Sequence, residues 1–177
     1  MVKILKFFAY SLFFLMMLLY FMPKQNLLFL LQEKLQPYAL TITQEQLDEK
    51  ALSLELHNVD LSYEGVAVAN IKDIVLQPLI ASNSITATAI TLAPFLRSYL
   101  PPDIASVRLS HQLLDPLHLS IEVKGDFGEA EGSYDLSSKR IVLILHPSKT
   151  FLRRYRKSLR YLKKNKEGGY FYEQTLS

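Results

Sequence analysis

The chain has 177 residues with 20 Lys and Arg against 17 Asp and Glu, enough for one ordinary domain but too few for two. It contains no cysteine, which excludes disulfides, thiolate metal sites and cysteine nucleophiles. The formal charge of +3 hides a segregation: 15 acidic and 8 basic residues lie between Glu33 and His146, whereas residues 149–166 hold 9 basic residues and no acidic one.

The first element is an apolar run. Phe7 to Met22 carries no charge, Ile4 and Leu5 extend it, and Lys3 and Lys6 can snorkel to headgroups. That length suits one crossing of a hydrocarbon core of roughly 30 Å. The run ends in bulky Leu19, Tyr20, Phe21 and Met22 before Pro23, not in the small residues of a cleavage site. Residues 1–24 therefore read as an uncleaved transmembrane anchor, with a short N-terminus inside and the following domain across the membrane. Leu27 to Leu35 reads as an interfacial or stalk helix that Pro37 ends, and residues 25–50 as a linker.

From Ala51 to Ser177 the pattern is that of a β-rich domain. Leu52, Leu54 and Leu56 alternate with polar residues, and the phase slips at Asn58 so that Val59, Leu61 and Tyr63 become the apolar set. Glu64-Gly65 is a turn, and Val66 to Leu76 a further strand. Ser84 to Ala89 alternates again, and a short helix is expected over Ala93 to Tyr99, closed by Pro101-Pro102. Leu117, Leu119, Ile121 and Val123 alternate with His118, Ser120, Glu122 and Lys124, which makes them one apolar face. Phe127 to Tyr134, Arg140 to His146 and Tyr170 to Tyr172 complete the strands. Turn signals every 8 to 12 residues in such chains mark an antiparallel meander, not βαβ units. The expected fold is mainly β: a curved antiparallel sheet with an N-terminal transmembrane helix and a basic amphipathic helix over 148–166.

That basic helix has Ser148 as its N-cap and Phe151, Tyr155, Leu159 and Leu162 on one stripe. Arg153, Arg154, Arg156, Lys157, Arg160, Lys163, Lys164 and Lys166 surround the stripe. Such a helix can lie on anionic lipid headgroups, dock on an acidic protein such as a second copy, or pack its stripe on the chain's own sheet. Nucleic acid is set aside, because no recognition motif accompanies the charge.

Elsewhere the chemistry is sparse. His57, His111, His118 and His146 sit in separate predicted strands without metal-ligand spacing. Asp126, Glu129, Glu131 and Asp135 fit the solvated edge of a hairpin better than a calcium loop. There is no nucleophile elbow, phosphate loop or dinucleotide fingerprint. No metal, cofactor or enzymatic activity is expected.

The order of elements resembles a known family. It runs from anchor and linker to Leu54-Glu-Leu-His-Asn-Val-Asp-Leu61 and Val68-Ala-Asn-Ile-Lys-Asp-Ile-Val-Leu-Gln-Pro-Leu79. It ends with Gly125-Asp-Phe-Gly-Glu-Ala-Glu-Gly-Ser-Tyr-Asp-Leu136 and Arg140-Ile-Val-Leu-Ile-Leu-His-Pro-Ser148. Together these look like a short member of the type II secretion system protein N family and, more distantly, like AsmA-like envelope proteins whose sheets form lipid-handling grooves. The resemblance implies a non-enzymatic accessory component of a bacterial envelope machine. It would be a single-pass inner-membrane protein with its C-terminal domain in the periplasm and envelope protein partners. The AsmA-like side implies instead a lipid-binding or lipid-transfer module that takes phospholipid.

Overall fold

A computed structural model of the chain describes residues 6, 7, 10, 11, 13, 14, 17, 20, 21, 25–79, 81–97, 101, 103–154, 159, 162–164 and 169–175. Among these described residues it is mainly β, with 62% in strands. The elements are α1 (Gln25–Leu35), β1 (Leu40–Glu49), β2 (Leu54–Tyr63), β3 (Val66–Pro78), β4 (Ser82–Leu92), β5 (Asp103–Gln112), β6 (Asp115–Gly125), β7 (Gly128–Asp135), β8 (Arg140–Pro147), α2 (Lys149–Arg154), β9 (Lys163–Lys164) and β10 (Tyr170–Thr175). They form one open antiparallel sheet in the order β1 to β8, then β10, then β9. The expected meander is thus present, and the sheet starts eleven residues before Ala51, inside the stretch read as a linker.

Turn chemistry sets the hairpins. Glu64 and Gly65 both have positive φ, 49° and 80°, the mirror-image turn whose twist matches two antiparallel strands. Asp135 accepts from the Ser137 hydroxyl at 2.7 Å and from the Ser137 and Ser138 amides at 2.8 and 3.2 Å, which fixes the chain's reversal into β8.

The slip at Asn58 is part of a larger device. Val59 opposes Gln44 and Ile71, while His57 opposes Gln46 and Asp73. Ile71 opposes Ile90 and Asp73 opposes Thr88, and these in turn oppose Ile104 and Ser106. Glu45, Asn58, Lys72, Ala89 and Ala105 are therefore one line of stepped residues across five strands. A step in one strand alone would turn its later side chains to the wrong face. Five steps in line change phase together and keep the apolar set on one face. The line ends at β6, where Ile104 and Ser106 face consecutive Gly125 and Lys124, a bulge. Asn58 and Ala89 take left-handed φ, 51° each. Asn tolerates this conformation, and its amide bridges the step by donating to Glu45 at 2.8 Å.

Two expected helices are corrected. Over Ala93 to Tyr99 there is only a 3-10 turn, Pro94–Leu96; residues 98–100 lie outside the described set. The basic helix does not run over 148–166: α2 is described over Lys149–Arg154, residues 155–158 lie outside the described set, and Lys163 and Lys164 are extended, opposite Phe171 and Tyr170. Arg153–Lys157, Arg156–Arg160 and Arg160–Lys164 would be like-charge pairs one turn apart, which weakens a continuous helix, and pairing with β10 requires extended chain. The start is as expected: the Phe151 amide donates to Ser148 Oγ at 3.2 Å, and that hydroxyl donates to the Asp126 carbonyl at 2.7 Å. Among the described residues no helix is long and apolar enough to cross a membrane. The expected anchor over residues 1–24 lies largely outside the described set.

Candidate functional site

The register of the ladders assembles one face of the sheet. Leu47, Leu56, Ile74, Ala87, Val107, Val123, Ala130, Leu145 and Tyr170 oppose one another in turn, a single apolar row from β1 to β10. Beside it runs a second row, Leu54, Leu76, Ile85, Leu109, Ile121, Gly132, Leu143 and Tyr172. With strands about 4.8 Å apart, the first row, over nine strands, is roughly 38 Å long and the second, over eight, roughly 34 Å. The reverse face is mainly polar: His57, Asp73, Thr88, Ser106, Lys124, Glu129 and His146 form the corresponding row, and Val75, Ile144 and Phe171 are apolar members of the row beside it.

A single sheet with one apolar face must cover that face. Among the described residues the cover comes at two places. α1 lies over the first strands, with Leu28 only 3% exposed and Leu31 and Leu35 packed on the same cluster as Leu54, Leu56, Ile74 and Leu76. Leu54, Leu56 and Val59 are fully buried as a result. At the other end Phe151, Leu159 and Leu162 pack with Phe127 against Val123, Ala130, Leu145 and Tyr170. Of the readings open for the basic segment, the apolar stripe packing on the chain's own sheet is therefore realised at these residues.

Between the covers the face is half open. A cavity of about 650 Å³ lies between Leu30, Leu31 and Lys34 of α1 and a floor that includes Leu76, Ile85, Leu109 and Leu119. Gln77, Asn83, Ser84, Ser110 and His111 complete its lining. The volume and mixture suit a ligand that is mostly apolar with a few polar contacts at its end. Leu117 is 51% exposed and Leu109 38%, whereas Leu119, Ile121 and Val123 are half-buried. Of the expected apolar face, then, Leu119 reaches the cavity, Val123 lies beneath the C-terminal cover, Ile121 stands between them in the second row, and Leu117 faces solvent.

The basic residues are only partly placed. Arg153 is exposed on α2, and Lys163 and Lys164 are exposed on β9. The side chains of Arg154, Arg156, Lys157 and Arg160 lie outside the described set. Among the described residues no group of three or more acids and histidines is arranged to hold a metal ion.

The polar face carries two His–carboxylate arrangements. His57 Nδ1 is 2.6 Å from Asp73 Oδ1 and its Nε2 is 3.4 Å from Asp48 Oδ2, so one imidazole ties β1, β2 and β3 together. The hydrogen bond to Asp73, helped by both carboxylate charges, holds the His57 imidazole above its ordinary value. His118 Nδ1 is likewise 2.6 Å from Asp115, and that hydrogen bond raises it in the same direction. The Ser137 hydroxyl and the Ser138 amide hold the Asp135 carboxyl far below the usual carboxylate range. Each of these groups staples neighbouring strands or a turn.

The sequence shows the apolar alternation of β6, but the cavity depends on where α1 packs, which no periodicity encodes. No family model, curated protein or solved structure matches the chain.

Proposed function

We propose that the chain is a membrane-tethered, non-enzymatic module that holds the acyl part of a phospholipid on the half-open apolar face of its sheet. The observation that carries this reading is the cavity under α1. It is floored by leucine and isoleucine, and it opens onto an apolar row that continues to the far side of the sheet. A face of this kind exposed to water marks a binding surface. The tether is supported by the nine described residues between Lys6 and Phe21, all helical and all exposed. They include Phe7, Phe13, Phe14 and Phe21, at 61% exposure or more, which hydrocarbon accommodates and water does not. In this reading the anchor sits in the inner membrane and the sheet stands in the periplasm.

Residues 25–177 retain every member of both buried clusters, so this fragment tests the reading without the anchor. Purified from cells, it carries phospholipid detectable by mass spectrometry, and Leu119→Glu loses that lipid while keeping its circular dichroism. A lipid-free fragment would count against the proposal.

A second reading, an accessory subunit of a secretion machine of the type II kind, is favoured by the two sheet edges, which have no further paired strand among the described residues and are ready-made sites for partner strands. Deletion separates the two readings. Loss of exported proteins from the medium with a tight outer membrane favours the secretion role, and normal export with a leaky membrane favours lipid handling.

A further inference from the structure

The two outermost strands, β1 and β9, carry opposite charge, and Glu173 on the part of β10 beyond β9 is paired with Arg140. β1 has Glu45, Asp48 and Glu49 and no basic residue in its ten positions. β9 is Lys163 and Lys164, both exposed, in a stretch with no acidic residue from 149 to 166. Lysines on an edge ordinarily prevent sheets from joining. That device works when both edges carry the same sign. With unlike signs, β1 against β1 and β9 against β9 repel, while β1 against β9 attracts.

The strand count agrees with the charges. The sheet has ten strands, each antiparallel to its neighbour, so β9 runs opposite to β1. A second copy displaced along the sheet brings its β1 beside β9 in antiparallel sense, with the apolar faces on the same side. The register also agrees. Asp48 stands in the row that passes through Glu55, Val75 and their partners to Phe171 and ends at Lys163. Continued into the next copy, that row sets Lys163 beside the next Asp48, and Lys164 beside the next Leu47. Asp48 is 64% exposed even while it contacts His57.

We propose that copies of this chain associate head to tail through these edges, β9 of one pairing with β1 of the next, so that the apolar faces lie on the same side with Lys164 between Tyr170 of one copy and Leu47 of the next. Because the contact is between unlike patches, it does not close on itself as a two-fold dimer does, and it builds an open series.

The test uses the full chain in phospholipid vesicles, as an equal mixture of light and nitrogen-15-labelled copies treated with a carbodiimide that joins amines to carboxylates. The expected result is a ladder of dimer, trimer and larger species whose light-to-heavy cross-links join Lys163 or Lys164 to Glu45, Asp48 or Glu49. Lys163→Glu with Lys164→Glu abolishes the ladder, and adding Glu45→Lys and Asp48→Lys to the same chain restores it. Circular dichroism confirms that each variant is folded. Cross-links confined within copies, light-to-heavy links between other surfaces, or a quadruple variant that folds without restoring the ladder would each overturn the proposal.

Discussion

Replacing Phe151 by Ala should lift the C-terminal cover without unfolding the sheet. Phe151 is 8% exposed and meets Phe127 edge-on, with ring centroids 6.2 Å apart. A phenylalanine side chain offers on the order of 200 Å², so its burial at about 25 cal/mol per Å² is worth roughly 4–5 kcal/mol as an upper bound. A compact unfolded reference and the retained β-carbon bring this to about 3 kcal/mol, the low end for Phe→Ala in a core. Among the described residues the cluster holding Phe151 has three buried members, whereas the cluster under α1 has eleven. The loss should therefore appear as local opening of the smaller unit. Hydrogen exchange followed by mass spectrometry reads this directly: amides of 149–154 and β9 lose protection in Phe151→Ala while β2 to β4 keep theirs. Equal loss of protection in β2 to β4 would refute the idea of two separate covers. Unchanged exchange at 149–154 would refute the role given to Phe151.

Other consequences follow from the backbone and the polar face. Glu64→Asn places a residue suited to left-handed φ before Gly65, and should raise the urea midpoint by an amount worth about 0.5–1 kcal/mol. Gly128→Ala should do the reverse and more: at φ 115° a Cβ would press on the His146 carbonyl and stand 2.8 Å from the Ser148 amide, so a loss of roughly 3 kcal/mol by urea titration is expected. His57 and His118 have folded-state values raised by their carboxylate partners. Their contribution to stability is fully present below the ordinary value of 6.5 and is lost as pH rises through the raised values. Urea midpoints should therefore decline as pH rises above about 6.5, and less so in a His57→Gln, His118→Gln chain.

How far the sequence discloses this structure depends on phase. The alternation in β6 runs from Leu117 to Val123 without a step, and there the apolar face is legible residue by residue. β1 and β5 were not legible as strands, because each carries a step, at Glu45 and Ala105, that breaks the alternation midway. β1 adds Gln44 and Gln46 around that point. The step at Asn58 is visible, but its continuation through Lys72 and Ala89 is a property of the assembled ladder. Ser148 is legible as a cap because the amide it caps, that of Phe151, lies three residues on. The extended state of Lys163 and Lys164 is not, because it is set by β9 pairing with a strand six residues further on. The cavity is a tertiary product: Leu30, Leu31 and Lys34 read alone as part of a stalk, and only their docking over β3 to β6 turns an apolar face into a pocket.

The central claim is that the apolar face, and not the polar one, meets lipid in the living membrane. A photoreactive benzophenone side chain placed at Leu109 or Leu119 of the full chain, and at Thr86 or Ser120 on the reverse face as controls, tests it in intact cells. Light-dependent phospholipid adducts at Leu109 and Leu119, absent at Thr86 and Ser120, are the result this account predicts. Adducts of equal yield on both faces, or protein adducts alone at Leu109 and Leu119, would contradict it.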